Sequence, residues 1–582
     1  MNSLLLAAIC FVGYIVAYHT YGKFLARKIF AVNIEAVCPS TALRDDKDFV
    51  PTPKEVLFGH HFTSIAGLGP IVGPAIAIIW GWVPAILWVF LGSIFMGAVH
   101  DFGALVASLR NQGRSVGDIA ADLVNPRVRS LFLLIIFFEL WIVIAVFALI
   151  IGILFNMYPA AVIPVWLEVP IAVWLGYIIY KKRLGHQFWG IVAVIVMYIT
   201  VVIGAYVPLS MPAIGGLNPI VIWVLIMLAY SYVASTLPVT TLLQPRDYIN
   251  AHQLFVALGL LFLGAIVAHP TIIAPAVNAS PQGAPPIWPF LFVVIACGAI
   301  SGFHSLVSSG TSAKQCETER DSLFVGYGSM LMEAALSTLV IVAVAAGIGL
   351  GLATKGGEVL TGTAAFTSHY ANWASAAGLG AKLQAFVVGS ANLMESYGIP
   401  KQIALTIMGV FLVSFAATTL DSATRIQRYV VGELFTAWKI PALAKPHPAT
   451  LIAVGTAFIM AFHQGFGIKA VSKGALILWP LFGTVNQLLA ALALLVVSVF
   501  LARRKVAIFY TFIPMVFMGI MTGWAMIYNL NKFSATGNWL LFCVGLAVFI
   551  LEIWMIIETL IVLKRIYGGP VMDQTEGAAS AP

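Results

Sequence analysis

Apolar runs of about twenty residues, each long enough to cross a bilayer as a helix, recur along the whole chain between short polar joints. They predict crossings near 3–22, 59–80, 82–109, 128–155, 160–180, 187–208, 217–237, 253–274, 287–312, 323–350, 402–424, 449–467, 475–500, 506–529 and 540–563. That pattern describes an all-α polytopic membrane protein of about fifteen transmembrane helices. The joints leave no room for a sizeable soluble domain, so a single transmembrane domain over 1–582 is expected. Within it lie a leading helix and loop at 1–58, a core at 59–500, peripheral helices at 501–565 and a flexible tail at 566–582. The first run has no basic stretch before it and reads as a retained span rather than a cleaved signal.

Two crossings break the pattern. Residues 59–74 read GHHFTSIAGLGPIVGP, which crowds Gly67, Gly69, Pro70, Gly73 and Pro74 into the middle of a span. Proline removes a backbone donor and glycine weakens a helix, so an interruption is expected there. Hydrocarbon cannot satisfy the freed N–H and C=O groups, and such a break is tolerated only where it packs in protein or lines a polar cavity. A proline-kinked packing helix is the alternative reading.

Residues 301–314, SGFHSLVSSGTSAK, are too polar for a lipid-facing helix. They share a Gly-x-His-x5-Gly spacing with the first break: Gly59, His61 and Gly67 against Gly302, His304 and Gly310. The two spans lie seven crossings apart and therefore run in opposite directions, as the halves of an inverted repeat do. Facing half-helix ends would attract a carboxylate at their N-termini and a cation at unwound carbonyls. Candidate substrate-binding residues are accordingly His61, Ser64, Gly67, Gly69, Gly73, His304, Ser308 and Ser309.

The span at 402–424 ends in FAATTLDSATRIQR, where Thr418, Thr419 and Ser422 can present hydroxyls to a small cation beside Asp421; back-bonding within the helix is the alternative. In LeuT-type transporters a cation site lies between the first broken helix and a later helix of this character. The fold expectation is thus a LeuT/APC-like inverted repeat with two discontinuous helices.

Charged residues inside spans are costly unless they face protein or water. Those here are Asp101, Glu139, Glu168, Glu333, Asp421 and Glu552, with His100 beside Asp101. Glu139 and Glu333 sit nearest mid-span and are the candidate proton carriers, with His61 and His304 able to relay. Asp101 and Asp421 either join the coupling or pair with Arg110, Arg425 or Arg428. Residues 229–248 end in Gln-Pro-Arg-Asp-Tyr at a helix end, read as a gate or clamp, and Asn486 and Gln487 are read as hydrogen-bonding across helices or lining a cavity.

Composition narrows the class further. Hydrophobic residues make up 61% of the 582 and charged residues 9%. The net charge of +8 matters through its placement: all basic residues except Lys355, Lys382, Lys401, Lys469, Lys473 and Lys532, 25 of 31, fall on one side. By the positive-inside bias the N-terminus is expected outside and the C-terminus in the cytoplasm. The long outer joint, 351–400, carries an amphipathic lid helix with Leu383, Phe386, Val387 and Leu393 on one face; the cytoplasmic joint, 23–55, reads as an irregular, solvated loop. Five scattered cysteines with no CxxC support neither a disulfide framework nor a zinc site. No nucleotide-binding glycine loop or nucleophile elbow occurs, which disfavours a membrane enzyme or sensor. No cofactor, metal or nucleic-acid partner is expected, and oligomeric state stays open.

Taken together, HFTSIAGLGPIVGP at 61–74, QPRDY at 244–248, GFHSLVSSGT at 302–311 and WPLFGTVNQ at 479–487 resemble the bacterial carbon starvation (CstA) transporter family over about residues 1–565. The resemblance implies inner-membrane uptake of a small nutrient, a peptide or pyruvate with protons. The chain is shorter at its C-terminal end than enteric members, which leaves substrate and regulation open. A proton symporter of a small carboxylate or peptide is the leading expectation. A sodium-coupled symporter and an uncoupled channel or facilitator are the alternatives.

Overall fold

The computed structural model describes residues 2–354 and 356–568. Among these, twelve helices are long and apolar enough to cross a membrane, and a bent pair, Lys54–Ile65 and Gly69–Trp80, makes a thirteenth crossing. The expected count of fifteen is slightly above the number that are long and apolar enough as continuous or singly bent helices, and the two segments that fall short show why. Pro446–Phe462 is apolar but short, and the stretch expected at 287–312 is two brief helices, Ile287–Val294 and Gly302–Gly310, with 295–301 outside any helix. Window hydropathy counts apolar residues whether or not one continuous helix carries them. A second correction concerns the span expected at 253–274, which runs Leu243–Ala268. Its first turn holds the charged pair Arg246 and Asp247, buried by partners on other helices, and Pro245 fits that turn because its missing N–H has no helical acceptor there. From residue 569 the expected flexible tail lies outside the described residues.

The first broken span bends by 45° at residues 66–68. The break falls just before the glycine-proline cluster, because Pro70 opens the second half-helix rather than ending the first. The two broken spans run in opposite directions and touch along their length. Trp80 Nε1 donates to Pro285 O at 3.2 Å at one end, and Gly69 backs onto the Cys297 thiol between the two breaks. A Cβ on Gly73 would lie 2.5 Å from the carbonyl oxygen of Val294. Gly73→Ala is therefore expected to push two backbones apart, lowering stability by roughly 1–3 kcal/mol and reducing transport, as read by thermal unfolding and uptake in parallel.

The 351–400 segment folds over one face of the bundle as helices Gly362–His369, Trp373–Ala376 and Leu379–Glu395. In the last of these Leu383, Phe386, Val387 and Leu393 are fully buried, as an amphipathic lid requires. The opposite face departs from expectation in part. Most of residues 31–37 and all of 41–47 in the 30–53 loop are exposed, as expected, but the arm that follows docks against the bundle. Its descending arm is pinned by backbone bonds from Val50 to Lys314, from Thr52 to Gln315 and from Val239 to Lys47, at 3.0–3.2 Å. Asp48 Oδ1 accepts from Arg425 Nη1 at 2.8 Å, Arg428 Nη2 at 2.9 Å and the Tyr429 hydroxyl at 2.6 Å.

This clamp closes the face away from the lid. Burial pushes the Asp48 carboxyl up, but Arg428 and Arg425 outweigh it and hold it down to about 2. A carboxyl depressed in the fold stabilises above its unfolded value and loses that contribution only as pH falls through the folded one. The clamp should therefore be indifferent to mild acid. Asp48→Asn leaves two buried guanidinium groups short of a counter-charge and is expected to cost roughly 3 kcal/mol in thermal unfolding, equally at pH 7 and pH 5.

Candidate functional site

A cavity of about 280 Å³ lies where the two breaks meet. Gly67, Leu68, Gly69 and Gly73 line it from the first broken span, and Val294, Ala296, Cys297 and Phe303 from the second. Val143, Phe147 and Ile150 enter from the helix Pro126–Met157, Thr419 from the long helix Lys401–Ala437, and Trp479, Thr484 and Asn486 from Trp479–Arg503. The lid lines the remaining side with Trp373, Leu379 and Lys382. Most of this wall is apolar. Lys382 is the one charged side chain among the described lining residues.

Each break leaves backbone groups to be satisfied, and the two do so differently. At the second, Gly298 N–H donates to Glu333 Oε1 at 3.1 Å, and Phe303 N–H donates to Asn486 Oδ1 at 2.9 Å. Asn486 thereby caps the start of Gly302–Gly310 and lines the cavity as well, so both sequence readings of it describe the same residue. At the first break no acceptor among the described residues takes the N–H groups of Gly67, Leu68 or Gly69. These three donors sit at the head of the half-helix Gly69–Trp80, where the helix dipole adds a partial positive charge.

Behind the second break runs a fully buried chain of acids and imidazoles. His304 Nδ1 lies 3.0 Å from Asp101 Oδ2, and His304 Nε2 lies 3.3 Å from Glu333 Oε2. His100 Nδ1 lies 2.7 Å from Asp101 Oδ1. An imidazole with a carboxylate at each nitrogen can accept a proton on one side and release it on the other. Cys297, His304 and Glu333 also bring three donor atoms within 4.8 Å of one another, a grouping that spacing along the chain does not reveal. In this arrangement His304 sits between Glu333 and Asp101, so both carboxyls share an imidazole partner built into the protein.

A second buried network surrounds Arg246. Its Nη1 lies 2.5 Å from Asp421 Oδ2 and donates to the Tyr230 hydroxyl at 2.6 Å, while Nη2 donates to Thr418 Oγ1 at 3.2 Å. Glu168 Oε1 and Asp247 Oδ1 each lie 3.8 Å from the guanidinium. The pairings expected from sequence are thus replaced. Asp101 turns to histidines and Asp421 to Arg246, whereas Arg425 and Arg428 hold Asp48 and Arg110 holds Glu319.

Of the candidate substrate residues, Gly67, Gly69 and Gly73 line the cavity and five do not. Ser64 Oγ meets Ser422 Oγ at 2.8 Å, which seats the first broken span against the long helix. His61 Nδ1 meets Ser312 Oγ at 2.8 Å. His304 stands behind Cys297, Ser309 Oγ accepts from Val116 N–H at 3.0 Å, and Ser308 is buried without a hydroxyl partner. Of the candidate coupling residues, Thr419 reaches the cavity and Thr418 is engaged by Arg246 and by Asn250. Glu139 has no hydrogen-bond partner on either oxygen and lies one turn from Val143, on the cavity-facing stripe of its helix. Sequence reasoning did not place Lys382, Trp373 or Asn529 at the site; a lone lysine on an apolar lid face was the available signal for the first.

Opposed broken crossings, joined around one cavity and overhung by a lid, define a secondary transporter of the LeuT-type inverted-repeat class. The chain belongs to the carbon starvation protein CstA family, whose model matches residues 2–525. It is 32% identical to the peptide transporter CstA of Campylobacter jejuni, over 89% of this chain and 79% of that protein. It is equally 32% identical to the pyruvate/proton symporter BtsT of Escherichia coli, over 90% of this chain and 80% of that one. Among solved structures, a mutant manganese transporter of Eremococcus coleocola aligns with a TM-score of 0.51 at 11% identity, covering 90% of this chain and 99% of that chain, a likeness of fold alone.

Proposed function

We propose that this protein takes up a small carboxylate or peptide nutrient by proton symport across the bacterial inner membrane, without covalent chemistry on its substrate. The observation that carries the reading is the contact between a cavity at the two breaks and the buried chain His100, Asp101, His304 and Glu333 directly behind it. Cavity and chain share the second break, since Cys297 faces the cavity and Gly298 is held by Glu333. Protonation of Glu333 would weaken its hold on Gly298 and loosen the break that forms the cavity wall, which couples proton to substrate. In this reading the lid faces outward, the Asp48 clamp faces the cytoplasm, and the N-terminus lies outside.

Protons are favoured over sodium by Arg246. The hydroxyl of Thr418 and the carboxylate of Asp421, two of the groups that would receive a sodium ion, are already bound to its guanidinium. The test is uptake of labelled pyruvate and dipeptides into proteoliposomes with an inward proton gradient, an inward sodium gradient, or neither. Accumulation with the proton gradient alone is expected. Sodium-driven accumulation would replace the coupling ion, equilibration without accumulation would make the protein a facilitator, and no uptake under any gradient would overturn the reading.

A further inference from the structure

The lid contributes more than closure. Lys382 stands on the lid helix Leu379–Glu395 and lines the cavity, and its ammonium makes no ion pair or hydrogen bond among the described residues. Burial pulls its ammonium down to about 8, which leaves it cationic at neutral pH. Gly67, Leu68 and Gly69, whose N–H groups are unclaimed, line the same cavity at the head of a half-helix. Both features attract an anion, and they come from opposite sides of the cavity: one from the lid, one from the core. No acidic side chain among the described lining residues is present to receive an ammonium.

We propose that Lys382 is the lid-borne anchor of the substrate carboxylate and that, with the break at Gly67–Gly69, it selects a small monocarboxylate anion over a zwitterionic peptide. This rests on the uptake reading above and names the substrate class of the same cavity. A monoanion entering past the lid exchanges water for one ammonium and a row of backbone donors, the donors fixed before it arrives. A zwitterion gains the same contacts at its carboxylate but must strip its ammonium of water with no counter-charge to meet it. Lid closure brings Lys382 onto the bound anion, so the correct charge on the substrate favours closure and the wrong one opposes it.

The test uses the full chain in proteoliposomes, with pyruvate as the monoanion and alanyl-alanine as the zwitterion, and compares Lys382→Gln, Lys382→Met and Lys382→Arg. Loss of one charge-assisted contact predicts a KM for pyruvate raised roughly 10- to 100-fold in the Gln and Met variants, with the maximal rate little changed. Arginine should restore most of the affinity, a rescue that a merely structural role would not produce. The wild type should take up pyruvate in preference to alanyl-alanine. If it takes up pyruvate while the Gln and Met variants, folded by thermal unfolding, keep its KM, the anchor is overturned and the uptake reading stands. Preferred uptake of alanyl-alanine overturns the selection of a monoanion. Uptake of neither solute overturns the uptake reading and this proposal together.

Discussion

Glu333→Gln is expected to abolish proton-driven accumulation while leaving substrate exchange between the two sides intact. Glutamine stands in for the protonated acid: its carbonyl can still accept from Gly298 N–H, more weakly than a carboxylate, so the break persists in its loosened form and the cavity keeps its wall. What disappears is the acid at the end of the imidazole chain, 3.3 Å from His304 Nε2. Without it the proton has no carrier whose charge is tied to the geometry of the break. Reconstituted vesicles should then show counterflow of labelled substrate at near wild-type rates and no uphill uptake under an imposed pH gradient. Wild-type accumulation by this variant would remove Glu333 from the coupling path and shift attention to Glu139, the unpartnered carboxyl on the cavity-facing stripe.

The largest effect on stability is expected at Arg246. This guanidinium is the counter-charge of Asp421 and lies 3.8 Å from both Glu168 and Asp247, with all four side chains buried. Truncation to alanine strands acids in a medium where an uncompensated charge costs several kcal/mol. A loss of roughly 3–5 kcal/mol follows, large against the total stability of a folded domain. Arg246→Ala should yield little folded protein in membranes. Arg246→Lys should fold better but remain impaired, because an ammonium cannot reach Asp421, Tyr230 and Thr418 at once. A melting temperature equal to wild type for the alanine variant would show that the acids find other partners.

The architecture was legible where backbone chemistry writes itself into residue choice. The Gly-Pro cluster at 67–74 and the Gly-Ser-His run at 301–314 marked both interruptions, since few other residues tolerate a broken helix inside a membrane. Even there the break at 66–68 lay slightly earlier than the prolines suggested, because proline sits comfortably in the first turn of a new half-helix. The lid helix was legible from its apolar stripe. Pairings were not. Asp101 and His304 are 203 residues apart, and Arg246 and Asp421 lie on different helices; nothing in the neighbourhood of either residue points to the other. The 23–55 joint misled for a related reason, because its charges suggested water while Asp48 was answering buried arginines. Lys382 illustrates the same limit from the other side, as a solitary charge whose meaning depends on which surface it overhangs.

The clamp at Asp48 has a kinetic corollary. One mouth of the pathway is sealed by ion pairs that no physiological acidity dissolves, the other by rings and aliphatic side chains that slide apart with little electrostatic resistance. A carrier built this way should open more readily at the lid than at the clamp. The slower stroke is then expected to be the one that parts the clamp, with the ion pairs of Asp48 rather than the lid setting the pace.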